Sequence, residues 1–127
     1  MTTKRVIKGE GIPGSYLPFS PALAVGDYLF VSGQASVDLK GNIIRDSFES
    51  ECRRSIENLR RVLEGAGIGL SDVVQVRCYV DNPQDLNQFN RIYSEYFSEP
   101  HPARTTLIGC LGGVLGFEID AVAYLGK

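Results

Sequence analysis

The sequence predicts an α+β fold in which two helices cover one face of a six-stranded mixed sheet. Two segments, 48–66 and 86–97, place apolar residues at three- and four-residue steps, the period of an amphipathic helix. Two others, 74–80 and 117–125, alternate apolar and polar residues as half-buried strands do. With the remaining strand candidates the order is β-β-β-α-β-α-β-β, and the 127 residues suit a single domain spanning 1–127.

The first strand is Arg5-Val6-Ile7. A turn-rich stretch from Gly9 to Pro21 follows, of the kind that walls a site more often than it forms core. Tyr28-Leu29-Phe30-Val31 is continuously apolar and reads as a strand buried on both faces, and 36–44, with Lys40-Gly41-Asn42, reads as a hairpin tip. In the first helix Phe48, Cys52, Ile56, Leu59, Val62, Leu63 and Ala66 form one stripe. Asp46 and Glu49 resemble a capping box, Gly65 and Gly67 stop the helix, and Glu49–Arg53 and Glu57–Arg61 make a solvated face.

The next strand puts Val74, Val76, Cys78 and Val80 on its apolar face. The second helix carries Leu86, Phe89, Ile92, Tyr93, Tyr96 and Phe97, a core stripe ending before Pro100-His101-Pro102. A strand over 103–110 leads into a glycine-rich turn, and the last strand sets Phe117, Ile119, Ala121, Ala123 and Leu125 opposite Glu118, Asp120, Val122 and Tyr124. Two helices cover only one face of such a sheet, yet several strands are apolar on both. The uncovered face predicts a homo-oligomer.

Composition excludes several functions. No stretch approaches the roughly 20 apolar residues of a membrane span, and the N-terminus lacks the apolar core of a signal peptide, so the expected location is cytoplasmic. Thirteen basic against 15 acidic residues give a net charge of −2, which counts against a nucleic-acid partner. Cys52, Cys78 and Cys110 are widely spaced and odd in number, fitting buried thiols in a reducing compartment. With His101 the only histidine, His-rich metal sites and a Ser-His-Asp triad lack their parts, and no metal or other cofactor is expected.

Two features break the pattern of their elements. Arg104 follows the rigid Pro100-His101-Pro102 corner at the start of a strand, where a guanidinium fork can grip a carboxylate bidentately, or stand as a surface charge. Glu118 and Asp120 are acids within an otherwise apolar strand, a pattern of solvated rims and of functional pockets. An arginine to hold an anion and a carboxylate to orient water make a hydrolytic pair.

Pro18-Phe19-Ser20-Pro21-Ala22 and Gly26-Asp27-Tyr28-Leu29-Phe30-Val31-Ser32-Gly33-Gln34 resemble the N-terminal signature of the Rid/YjgF family of reactive-intermediate deaminases. Asn58-Leu59, the Phe89-Asn90 to Tyr96-Phe97 segment, Pro102-Ala103-Arg104-Thr105 and Glu118-Ile119-Asp120-Ala121 continue the resemblance over nearly the whole chain. It implies a chorismate-mutase-like fold assembled as a trimeric barrel, with sites in clefts between subunits. It implies hydrolysis of 2-imino acids such as 2-iminobutanoate and 2-iminopropanoate to 2-keto acids and ammonia, without a cofactor. By the same resemblance Arg104 grips the substrate carboxylate, Glu118 positions the attacking water, and Phe19, Ser32, Gly33, Asn90 and Thr106 line the cleft.

Three departures stand out. Phe19 occupies a position where many members have tyrosine, and a lost hydrogen bond to a charged group is worth roughly 1.5–3 kcal/mol. Thr106 stands where cysteine is common, and Leu111-Gly112-Gly113 replaces the usual Leu-Pro. If the last two strands were hairpin neighbours turning near Gly113, Arg104 and Glu118 would lie about four residues, roughly 13 Å, out of register. Cooperation then requires a different strand order or a site completed across subunits. The alternatives to an imine deaminase are a non-catalytic trimer that binds 2-keto acids or a protein, and an endoribonuclease.

Overall fold

A computed structural model describes residues 3–126 of the chain. The elements are β1 (Arg5–Ile7), β2 (Ala22–Val25), β3 (Tyr28–Ala35), α1 (Phe48–Gly65), β4 (Val73–Val80), α2 (Leu86–Tyr96), β5 (Ala103–Ile108) and β6 (Phe117–Tyr124). They form one mixed sheet in the order β1-β2-β3-β6-β4-β5, in which only β4 and β5 pair in parallel. The last strand is thus inserted between β3 and β4. Arg104 and Glu118 lie on strands separated by β4 and are not hairpin neighbours.

Both helices pack on the face presented by Leu29, Val31, Val76, Cys78, Val80, Phe117, Ile119, Ala121 and Ala123, all buried. On α1, Ile56, Leu59, Val62 and Leu63 are fully buried, each stabilising the fold by about 1.5–3 kcal/mol. Phe117 anchors the layer interface, its ring 5.4 Å from Phe89 of α2 and 6.2 Å from Phe48 of α1.

Several local expectations need correction. The residues 36–44 form the expected hairpin tip, but as a tight loop closed by a single antiparallel bridge, Val37 to Ile43, rather than by strands. Asp38 closes it by accepting from the N–H groups of Lys40 and Asn42, while Asn58 donates to the Ala35 and Val37 carbonyls. The third N-terminal strand is β2, whose Ala-Leu-Ala-Val carries too little alternation to stand out. Tyr28 and Phe30 are about half exposed while Leu29 and Val31 are buried, so β3 has one open face. Val74 is also exposed, because a register shift between Val73 and Gln75 turns it outward.

At the start of α1 the cap is Ser47, which accepts from the Ser50 N–H, while Asp46 pairs with Arg54. At its end Gly67, at φ +79°, supplies the left-handed residue, and the Ile68 N–H returns to the Leu63 carbonyl. Gly65 is still helical and leaves room for Ile12 and Ile7. Glu49 pairs with Arg53 as expected, but Glu57 pairs with Arg60 rather than Arg61. All three cysteines are free; Cys52 and Cys78 are buried, whereas Cys110 is exposed on the glycine-rich loop.

Candidate active site

The open face of the sheet carries the acids. Opposite Asp120 of β6, β3 bulges: Val31 pairs with Ala121 and Gln34 with Ile119, leaving Ser32 and Gly33 to span one residue. Glu118 lies against the bulge. A Cβ on Gly33 would collide with Glu118 Oε2 and stand 2.9 Å from its Cδ. Burial, reinforced by the neighbouring charge of Asp120, pushes the Glu118 carboxyl above the usual carboxylate range. Ser32 Oγ donates to the Ser20 carbonyl at 2.5 Å and its N–H to the Pro21 carbonyl, which fixes the segment carrying Phe19.

Beside Glu118 opens a cavity of about 630 Å³ walled by the 13–21 segment, β1 and the 37–43 loop. Phe19, Gly33, Leu17 and Leu115 are among its lining residues. A second cavity of about 630 Å³ shares Phe19 and Ser20 and runs along the open sheet face past Phe30, Ser32, Arg77, Asp120 and Val122. There Arg77 Nε and Tyr79 Oη donate to the two oxygens of Asp120 at 3.0 and 2.6 Å. Burial and that hydrogen bond push the Tyr79 hydroxyl up to about 12.

Arg104 belongs to the other face. It pairs with Val76, on the helix side, and its guanidinium carbon lies 4.9 Å from the Phe89 ring centre and 4.8 Å from that of Tyr93. This double cation–π seat holds the fork over α2. Among the described residues no carboxylate forms an ion pair with it. Thr106, two residues on, shares that face, and Asn90 is an exposed residue of α2 next to Phe89. Burial raises the Cys78 thiol to about 12, so it is no ready nucleophile beneath the arginine. Tyr93 Oη is buried without a hydrogen-bond partner among the described residues.

The structure therefore sorts the expected residues into two groups. Phe19, Gly33 and Glu118 line one cavity, and Ser32 lines the adjoining one that shares Phe19. Arg104 and Thr106 share a face of β5, with Arg104 against α2, which also carries Asn90. The groups lie on opposite faces of the sheet, two strands or roughly 10 Å apart across it and offset three residues, roughly 10 Å, along it.

Sequence reasoning missed the clamp on the glycine-rich loop. Glu51, 1% exposed, accepts from Arg45 Nε and the N–H groups of Asp46 and Gly116. Asp81 accepts from the N–H groups of Leu111 and Gly113. The signal for Glu51 was its spacing with Ser55 and Asn58, buried polar residues beside the apolar stripe of α1. Among the described residues no group of His, Cys, Asp or Glu is arranged to hold a metal, and no helix is long and apolar enough to cross a membrane.

A six-stranded mixed sheet with two helices on one face, its acids beside a bulge on the other, defines the YjgF/chorismate-mutase-like class of α+β proteins. The profile described as endoribonuclease L-PSP matches residues 11–125, and the chain belongs to that family, the YjgF/Rid family. It is 37% identical over 123 residues to a RutC family protein of Pyrococcus horikoshii, covering 95% of this chain and 98% of that one. It is 30% identical over 125 residues to human 2-iminobutanoate/2-iminopropanoate deaminase, covering 97% and 91%. A crystal structure of YyfA, a conserved Rid family protein of unknown function from Yersinia pestis, superposes with a TM-score of 0.89 at 28% identity, covering 96% and 99%.

Proposed function

We propose that the protein hydrolyses 2-imino acids and their enamine tautomers, 2-iminobutanoate and 2-iminopropanoate among them, to 2-keto acids and ammonia. The observation that carries this reading is the Glu118 carboxylate, set against Gly33 in a concave apolar site and raised in pKa by burial. A carboxylate whose pKa is raised is a stronger base towards the attacking water than an ordinary one. The protonated imine carbon accepts that water without a covalent nucleophile. Glu118 returns the proton to nitrogen, the C–N bond breaks, and water plus iminium leave as ketone plus ammonium. Arg104 supplies the fork for the substrate carboxylate. Phe19, Ser32 and Gly33 line the site with Glu118, and Asn90 and Thr106 complete it beside Arg104.

The two groups of residues work together if one copy lends Arg104 to the Glu118 of a neighbour, so the functional unit is a homotrimer with sites between subunits. The half-exposed Tyr28, Phe30 and Tyr124 on the open face support such an assembly. Its expected setting is the cytoplasm, and nothing in the chemistry calls for a cofactor.

Ammonia release from 2-iminobutanoate generated in situ tests the activity: wild type accelerates it and Arg104→Ala does not. No acceleration over several imino acids rejects the reading. Co-refolding Arg104→Ala with Glu118→Gln chains tests the shared site. Random trimers regain about a quarter of wild-type activity if each site draws on two copies, and none if both residues act from one. Saturable 2-keto acid binding without turnover would instead favour a binding protein, a reading that Phe19, with its missing hydroxyl, leaves in play. The net charge of −2 gives no support to ribonuclease activity.

A further inference from the structure

We propose that the preferred substrate is a 2-imino acid with a bulky apolar side chain, branched or aromatic, which occupies the cavity beside Glu118. This rests on the deaminase reading and specifies its substrate class. The cavity holds about 630 Å³. That is the size of pockets that enclose drug-sized ligands, and three- or four-carbon acids leave most of it unfilled.

The walls are apolar where the side chain would lie. Val6, Pro13, Leu17, Phe19, Ile43 and Leu115 line the cavity, with Lys8 and Gln34 among its polar lining residues. Val6, Leu17, Phe19 and Ile43 keep about half of their surface exposed, so a small substrate leaves them hydrated while an isobutyl or benzyl group covers them. Glu118 fixes which end of the substrate lies at the wall, since the reacting carbon must stay near its carboxylate. The substrate carboxylate must point away towards the arginine, which leaves the side chain directed along the apolar walls. The clamp of Glu51 and Asp81 holds the loop that brings Leu115 to the cavity, so this wall is built in advance.

The test generates imino acids in situ with an amino-acid oxidase from alanine, 2-aminobutyrate, leucine and phenylalanine. Expected is a kcat/KM at least about tenfold higher for the leucine- or phenylalanine-derived imine than for the alanine-derived one. Leu17→Ala should lower that ratio. Equal values, or a preference for the small imines, overturn the proposal, as they would if a neighbouring copy filled the cavity. If no imine is hydrolysed, the deaminase reading fails, and calorimetry with the 2-keto acids decides the pocket separately. Binding of 4-methyl-2-oxopentanoate or phenylpyruvate about tenfold tighter than 2-oxobutanoate sustains it. Equal affinity, or no binding, overturns it.

Discussion

Gly33→Ala separates the fold from the proposed chemistry. The glycine has no positive φ, so alanine fits its backbone. The obstacle is one side chain. The new Cβ would overlap Glu118 Oε2 and stand 2.9 Å from Cδ, where ordinary contact begins at about 3.4 Å. The carboxylate must therefore retreat by about 1 Å or more, and because it ends a flexible side chain it can. The cost to stability is about 1 kcal/mol, the low end for overpacking, and is partly offset by the roughly 0.4–1 kcal/mol that alanine gains from a less mobile unfolded chain. A misplacement of about 1 Å in a reacting group lowers the rate on the order of 100-fold. The assay pairs kcat/KM for imine hydrolysis with the urea midpoint. Wild-type kcat/KM in a variant of unchanged midpoint refutes the idea that Glu118 acts from its seat against Gly33.

Three further outcomes follow from the same geometry. The folded-state pKa of Glu118 is raised, so its contribution to stability is complete below the unfolded value and is lost as pH rises through the folded one. Glu118→Gln should thus raise Tm at pH 7 and leave it near wild type below the ordinary glutamate value of about 4.3, while abolishing turnover. Glu51→Ala strips the Asp46 and Gly116 N–H groups of their acceptor and should cost about 2–4 kcal/mol in urea unfolding. Arg104→Lys keeps the charge but loses the planar fork over Phe89 and Tyr93, and should raise KM about tenfold or more with an unchanged circular dichroism spectrum.

The elements that periodicity specifies were legible in the sequence: both helices, β4 and β6 emerge where the 3.6- and 2-residue patterns place them. What failed was short or irregular. Ala22–Val25 is too brief to show alternation, and the outward turn of Val74 comes from a bulge that no local pattern encodes. The loop 36–44 reads as a hairpin tip from its turn residues, and the Asp38 and Ile44 N–H groups do donate across it to the Asn42 and Ser36 carbonyls. What no local pattern shows is that the Ser36 and Asn58 side chains hold the Ile44, Ala35 and Val37 carbonyls. The glycines of 109–116 signalled a turn, yet the carboxylates that pin it come from α1 and the end of β4, which are distant in sequence.

Arg104 and Glu118 were legible as odd residues in their strands, but not where they point. That depends on the insertion of β6 between β3 and β4, a non-local pairing. Once β6 lies there, the register sets Ala121 against Val76 and Val76 against Arg104, which gives Arg104 to the helix side, while Glu118 has the opposite parity. No rotamer change brings a side chain through a sheet whose helix side is filled by Phe117, Ile119 and Cys78, all fully buried. A site using both residues therefore needs a second chain. The apolar residues left bare on the open face away from the cavity beside Glu118, Tyr28, Phe30 and Tyr124 among them, are the surface such a chain would cover. Under the proposed function, assembly and catalysis then depend on the same interface, and a substitution that dissociates the copies should abolish turnover even with every site residue in place.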